Sequence, residues 1–298
     1  MSILEKILDP KRVANFVYWR VQDALQFAKN CWALAAIFVR MRLPNTAKPH
    51  GRKEEIIVSL TSYEPRFKTL PYTLECLIRQ SVKADRIIVW LDPQDMNKIT
   101  PRMRALEARG VEYRQTAGNN LKSFNKIIPA LMAFADAVIV TVDDDIYYAS
   151  TMLESLLQEW SGNPKEIVCH YAERITVDHA GNKKPFKHWK AVAGAAYPAY
   201  DIMPFGFAGV LYPPHVLPLE TKDAEAFKRL CHHGDDIWLY WMGRKNGCVY
   251  RKTHKDYMVC EWPSSQIVGL KHQNMYFRNE EQIGRMIKEY GWPSFDTP

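Results

Sequence analysis

Asp143-Asp144-Asp145 sets three carboxylates side by side directly after an apolar run, Ala137–Val142 (AVIVTV). Ionised neighbours repel, so such a cluster is costly unless a cation neutralises it. A hard divalent ion with oxygen ligands is a fitting counter-charge, and Mg2+ or Mn2+ typically shares its shell with substrate phosphates. The alternative is a solvated loop or helix start, where acids are also favoured. Placement at the end of a buried strand favours the metal. A second acidic pair, Asp235-Asp236, follows His232-His233-Gly234 and opens a helical pattern that contains Trp238. One of these acids could serve as a general base beside a sugar-binding tryptophan, or simply cap the helix. The string lacks the H-E-x-x-H spacing of a metallohydrolase.

Other polar groups fall at comparable places. An apolar run, Glu55–Leu60, ends in Thr61-Ser62-Tyr63-Glu64-Pro65-Arg66, a turn rather than a glycine-rich phosphate cradle. A second run, Arg86–Leu91, ends in Asp92-Pro93, which leaves a carboxylate at its end. Lys122 and Lys126 precede the triad strand on a helical pattern; they either reach a diphosphate or form an ordinary solvated helix face. Phe205-Gly206-Phe207-Ala208-Gly209-Val210 either lets a ligand approach the backbone closely or is a plain glycine-bearing core strand. His272, in Leu270-Lys271-His272-Gln273-Asn274, is a candidate late metal ligand, against the commoner exposed or structural histidine. Neither G-x-x-x-x-G-K-[ST] nor G-x-G-x-x-G occurs, which weighs against P-loop and dinucleotide readings.

The elements that must position these groups alternate. Strands are predicted at Glu55–Leu60, Arg86–Leu91, Gly110–Arg114 and Ala137–Val142, with helices at about 67–80, 98–109, 124–135 and 150–160. Four strand–helix alternations predict an α/β chain with a mostly parallel, doubly wound sheet. In such a sheet ligands bind beyond the carboxyl ends of the strands, where the acids fall. The second half alternates less regularly, with strands at Ile167–His170, Arg174–Val177 and Gly206–Tyr212 and helices at 235–245 and 278–290.

Residues 1–53 form a separate unit by composition. The 298-residue chain has a net charge of +7, and residues 1–53 hold ten Lys/Arg against three Asp/Glu, so residues 54–298 balance. A nucleic-acid binder would carry its positive field on the folded domain; this reading expects no nucleic acid. From Arg12 on, Val13, Phe16, Val17, Val21, Ala24, Leu25, Ala28, Trp32, Ala35 and Val39 form a helical apolar stripe, with Trp19 adding an amphipathic ring. This pattern fits a helix on an anionic membrane surface, or one packed on the catalytic domain or a second subunit. The segment 43–51 reads as a linker. No run reaches the ~20 apolar residues of a spanning helix, and the first residues lack the order of a secretory signal. Six scattered cysteines without C-x-x-C spacing predict reduced, mostly buried thiols. The expected location is cytoplasmic, peripheral at the inner face of the membrane if the arm binds lipid.

In their joint order these residues resemble the GT-A-fold glycosyltransferases of the family 2 type, over about residues 55–292. SLTSYEPRF, NKIIPAL, VDDDIYY, GVLYPP and DDIWLY are similar to a bacterial subgroup of capsule and lipopolysaccharide assembly. The resemblance implies that Thr61, Tyr63 and Asp92, with Arg66 in the same turn, hold the nucleotide base. It implies that Asp143 and Asp145, with Asp144 nearby, hold ribose and a metal-bound diphosphate, and that Asp236, or else Asp235, is the base. His272 or His254 would complete the metal site. The implied activity is a metal-dependent inverting glycosyltransferase using Mn2+ or Mg2+. Its donor would be a nucleotide-diphosphate sugar, a UDP-sugar foremost, and its acceptor a saccharide or lipid-linked hydroxyl. A sugar nucleotidyltransferase is the nearest rival, but it would carry a glycine-rich, basic first loop. A non-catalytic carbohydrate-binding scaffold is the other; intact acid clusters argue against it. The expected division is an arm and linker at 1–53 and a GT-A-like domain at 54–298.

Overall fold

The computed structural model describes residues 10–118, 121–195, 197–256, 258–263 and 272–293, the side chains of 10–13, 15, 16, 19 and 272–276 excepted. Its centre is a seven-stranded sheet built from β1 (Ile56–Thr61), β2 (Arg86–Leu91), β3 (Val111–Gln115), β4 (Val138–Thr141), β5 (Glu166–Cys169), β6 (Val210–Tyr212) and β7 (Val249–Lys252). The order across the sheet is β7-β5-β6-β4-β1-β2-β3. All pairings are parallel except those of β6, which runs antiparallel to both β4 and β5.

Burial on both faces explains the continuous apolar runs of β1, β2 and β4. Along β1, Ile57 faces one core, with Ile139 of β4, while Ile56, Val58 and Leu60 face the other. The first core is closed by α5 (Ala224–Cys231), α6 (Asp235–Lys245) and α7 (His272–Tyr290), through residues such as Phe227, Trp238 and Met286. The second is closed by α2 (Leu70–Ile78), α4 (Met152–Glu159) and α1 (Pro10–Arg42), through Leu74, Leu156, Ala33 and Ile37. Five of the six cysteines are buried and all are free thiols, Cys31 alone being exposed.

Four expectations change. The helix expected at 98–109 is a turn at Pro101–Arg104 and a 3-10 turn at Glu107–Arg109, because Pro101 fixes the start behind the Thr100 cap. The helix expected at 124–135 divides into a 3-10 segment, Lys122–Lys126, and α3 (Ile128–Ala133), since Pro129 cannot donate back into a preceding turn. The strand expected at Gly206–Tyr212 begins instead as a 3-10 turn, Gly206–Ala208, and Gly209 at φ 102° turns the chain into β6. The strand expected at Arg174–Val177 lies at Ala172–Arg174, where it pairs with Ile202–Pro204.

The long helix α1 packs through a face other than the predicted stripe. Gln26 and Asn30 exchange hydrogen bonds with Val259 and Glu261, and the Arg40 guanidinium donates to the carbonyls of Tyr148 and Arg79. Val13 and Phe16 of the predicted stripe, and Trp19 beside it, lie outside the described side chains. Among the described residues no helix is long and apolar enough to cross a membrane.

Candidate functional site

Parallel pairing brings the ends of β1, β2 and β4 to one rim. Thr61 pairs with Trp90 and Ser59 with Thr141, so the residues that follow these strands emerge together. Because β6 runs the other way, its leading turn, Gly206–Ala208, arrives at that same rim. A cavity of about 600 Å3 opens there. Thr61, Tyr63, Arg66, Asp92, Lys122, Lys126, Asp143, Asp144 and Asp145 all line it.

At one end of this cavity the polar side chains are oriented by uncharged partners. The Thr61 hydroxyl donates to the Trp90 carbonyl at 3.0 Å, and the Tyr63 ring is 42% exposed toward solvent. Asp92 accepts from Thr116 and, at 3.3 Å, from Asn125. The other end is dense in charge. Arg66 pairs with Asp145 and lies 3.9 Å from Asp144, which also accepts from Ser62 at 2.5 Å. The Asp143 backbone N–H donates to the Tyr148 hydroxyl, which in turn donates to the Phe207 carbonyl, and this fixes the start of the triad.

Lys126 is 4% exposed, so it is not a solvated helix face. Its ammonium lies 2.8 Å from Asp143 and 3.0 Å from Asp235, a bridge between the triad and the second acidic pair. Burial alone would pull this ammonium down; Asp143, Asp235 and Asp236 outweigh it and hold its pKa well above 10.5. Lys122 takes the opposite situation. It sits at φ 56° on the cavity rim and donates to His232 at 2.8 Å, with His233 at 3.5 Å. Partial burial and the Lys122 charge depress both imidazoles, so they stay neutral near pH 7.

A second cavity, also about 600 Å3, shares Asp143 and Asp145 with the first and holds Asp235 and Asp236. Its apolar wall is Tyr171, Phe205 and Phe207, in mutual ring contact. Asp236 accepts from the Gly206 N–H at 2.8 Å. Burial, then repulsion from Asp235, pushes its carboxyl up to about 8.

No family model matches the chain, and no curated protein matches it in sequence. Among solved structures it is similar to a mannosyltransferase from Pyrobaculum calidifontis in complex with GDP-Man and Mn2+. The two share a TM-score of 0.52 and 12% identity, over 93% of this chain and 75% of that one. The fold is GT-A-like. A glucosyl-3-phosphoglycerate synthase from Mycobacterium tuberculosis, in complex with Mn2+, UDP-Glc and phosphoglyceric acid, aligns over only 40% of this chain and 44% of that one. Its 14% identity and TM-score of 0.31 add nothing to that.

In this GT-A-like frame the donor set fits a divalent cation. Five carboxylates, Asp143 to Asp145 with Asp235 and Asp236, face two cations, Arg66 and Lys126. The excess negative charge shows in Asp144, which burial and then Asp145 push up to about 7. Among the described residues no three His, Cys, Asp or Glu side chains form a ready cage. An ion here would therefore take phosphate and water oxygens beside Asp143 and Asp145, as Mg2+ and Mn2+ commonly do. The His272 side chain lies outside the described residues. His254 is paired with Glu159 on an exposed surface and lines neither cavity.

Sequence reasoning missed Thr116, Asn125, Tyr148 and Gln26, whose polar groups fix or line the site, Thr116 and Gln26 from segments remote from the acid triad. Gly206 it noticed for another reason. What approaches the Gly206 backbone is protein: an added Cβ would stand 2.7 Å from the Lys126 ammonium and 3.1 Å from Asp236. Gly206→Ala is therefore expected to displace both charged ends and lower turnover about 10-fold or more, at near-normal melting temperature. Steady-state kinetics beside a thermal melt check this, and wild-type turnover would contradict it.

Proposed function

We propose that this chain is a metal-dependent glycosyltransferase that moves a sugar from a nucleotide-diphosphate donor to an acceptor hydroxyl. The observation that supports it most is the junction of two cavities at Asp143 and Asp145, one with polar nucleotide-type walls and the other with a buried acid beside aromatic rings. In this reading Thr61, Tyr63, Arg66 and Asp92 hold the nucleotide, and a saccharide or lipid-linked acceptor enters the second cavity. Tyr171, Phe205 and Phe207 offer the flat apolar faces on which a sugar ring rests. A hydroxyl is too weak a nucleophile near neutral pH, so Asp236 takes its proton as it attacks the anomeric carbon. Asp235 stays against Lys126 and assists by position. Lys122 lies on the rim where departing diphosphate oxygens gather charge. The divalent cation, when bound, offsets the charge of that leaving group. Attack from the cavity opposite the donor gives inversion. The motif likeness to capsule and lipopolysaccharide enzymes supports a place in surface polysaccharide assembly, and UDP as the nucleotide.

The test is nucleotide release from a panel of UDP- and GDP-sugars with Mn2+, with the product anomer read by NMR. Asp145→Asn is expected to abolish Mn2+-dependent UDP binding in calorimetry while leaving the thermal melt in place. Unchanged metal-dependent binding would remove Asp145 from the site.

A further inference from the structure

The helix α1 has two faces that do different things. Its inner face, Gln26, Asn30, Ala33, Ile37 and Arg40, recurs at steps of three and four and lies against the sheet's second core or its edges. Its outer face, Val17, Val21, Leu25, Trp32 and Val39, recurs at steps of four and seven on another side of the helix, and each of these side chains is at least half exposed. At ~1.5 Å per residue this row runs about 33 Å along the surface. Trp32 continues it onto the body of the protein, where it lines a shallow pocket with Tyr147 and the exposed Met258.

An exposed apolar row of this length is an interaction surface rather than scattered surface residues. Charge selects the occupant. On the helical wheel Arg20 and Lys29 fall on opposite flanks of the row, Arg42 stands at its end, and Asp23 is the single acid in the helix. Basic residues flanking an apolar row, with a tryptophan within it, match an anionic lipid interface, where the row sinks among acyl chains and the flanks meet headgroups. A second copy of the chain would bring two positively charged helices together.

The inner face links this surface to the chemistry. Gln26 donates to the Val259 carbonyl at 2.9 Å and lines the second cavity together with Asp236. We infer that the outer face of α1 seats the protein on an anionic lipid bilayer, so that the cavity walled by Gln26 opens beside that surface and receives acceptors carried on lipid. The part concerning acceptors rests on the glycosyl-transfer reading; the part concerning lipid does not.

Full-length protein is sedimented with phosphatidylcholine vesicles and with phosphatidylcholine–phosphatidylglycerol vesicles, at low and high salt. Binding is expected to the anionic vesicles, weakened by salt. The exposed pair Val21→Glu/Leu25→Glu should cut partitioning about 10-fold or more at an unchanged melting temperature, and Lys29→Glu should weaken it in low salt only. The Val21→Glu/Leu25→Glu variant should keep turnover on a soluble saccharide and lose it on the same saccharide displayed on anionic vesicles. Failure of the wild-type chain to partition overturns the proposal, as does a wild-type dimer in sedimentation velocity that the double variant converts to monomer. Vesicle binding is read without turnover, so an inactive but lipid-bound protein would refute glycosyl transfer and leave the lipid surface standing.

Discussion

Asp236→Asn should turn over about 10²–10⁴-fold more slowly than the parent while still binding the nucleotide donor. The amide keeps the acceptor for the Gly206 N–H, so geometry survives and proton uptake does not. The pH dependence has a definite sign. A base works as the carboxylate, and burial and Asp235 hold this group protonated up to about pH 8. Turnover should therefore rise with pH and level off above about 8, and a cation in the site should move the rise to lower pH. A rate that is flat from mildly acid to mildly basic pH would remove Asp236 as the base. Stability should move in the opposite direction. The folded state holds this proton more tightly than the unfolded chain, whose carboxyl titrates near 3.8. Stability is thus eroded as pH climbs from that range toward 8. The asparagine variant escapes this loss and should melt above the parent at pH 8, as expected where function keeps a costly charge.

Removing the ammonium at 126 should be the most destabilising single change at the site. In Lys126→Met, Asp143 and Asp235 lose a buried partner held at 2.8 and 3.0 Å, and breaking such a pair typically costs about 3–5 kcal/mol. The raised pKa of Lys126 means that its contribution is complete at neutral pH and fades only above about 10.5. Urea unfolding at pH 7 should show the full loss. At acid pH, where the carboxylic acids are protonated, the gap should narrow. Equal stability of variant and parent at pH 7 would show that the bridge contributes nothing.

How much of this could be read from the residues depended on whether the signal was local. The runs IIVSLT, RIIVWL and VIVT declare buried parallel strands by themselves, and parallel order then fixes the rim where Asp92 and Asp143 emerge. Nothing local reports that Lys126, in a polar stretch, is buried: that follows from Asp235, over a hundred residues later, closing over it. The edge strand VYRK, half-buried in alternation, carried no apolar run to announce it. Ala224–Cys231 does carry a local signal, apolar at 226, 227, 230 and 231 behind an Asp223 cap, though it is only two turns long. In α1 the stripe was visible but its direction was not, because the docking face has few apolar residues, Ala33 and Ile37 among them, and is completed by the amides of Gln26 and Asn30, to which hydrophobic periodicity is blind.

The antiparallel strand β6 has a consequence for how the chain is made. Val210–Tyr212 is a three-residue seam between β4 and β5, and it is synthesised about seventy residues after Thr141, its partner. At ~5–20 residues per second a ribosome leaves that flank of β4 bare for roughly 4–14 s. During that interval β1 to β4 can already pair, and the open flank of β4 is a row of unsatisfied backbone groups on a β-branched strand, VIVT, apolar but for Thr141, the kind of edge that recruits another chain. A nascent chain stalled between the two segments would aggregate through β4, and slow translation after residue 142 would be a burden this architecture bears more than one whose strands are laid down in spatial order.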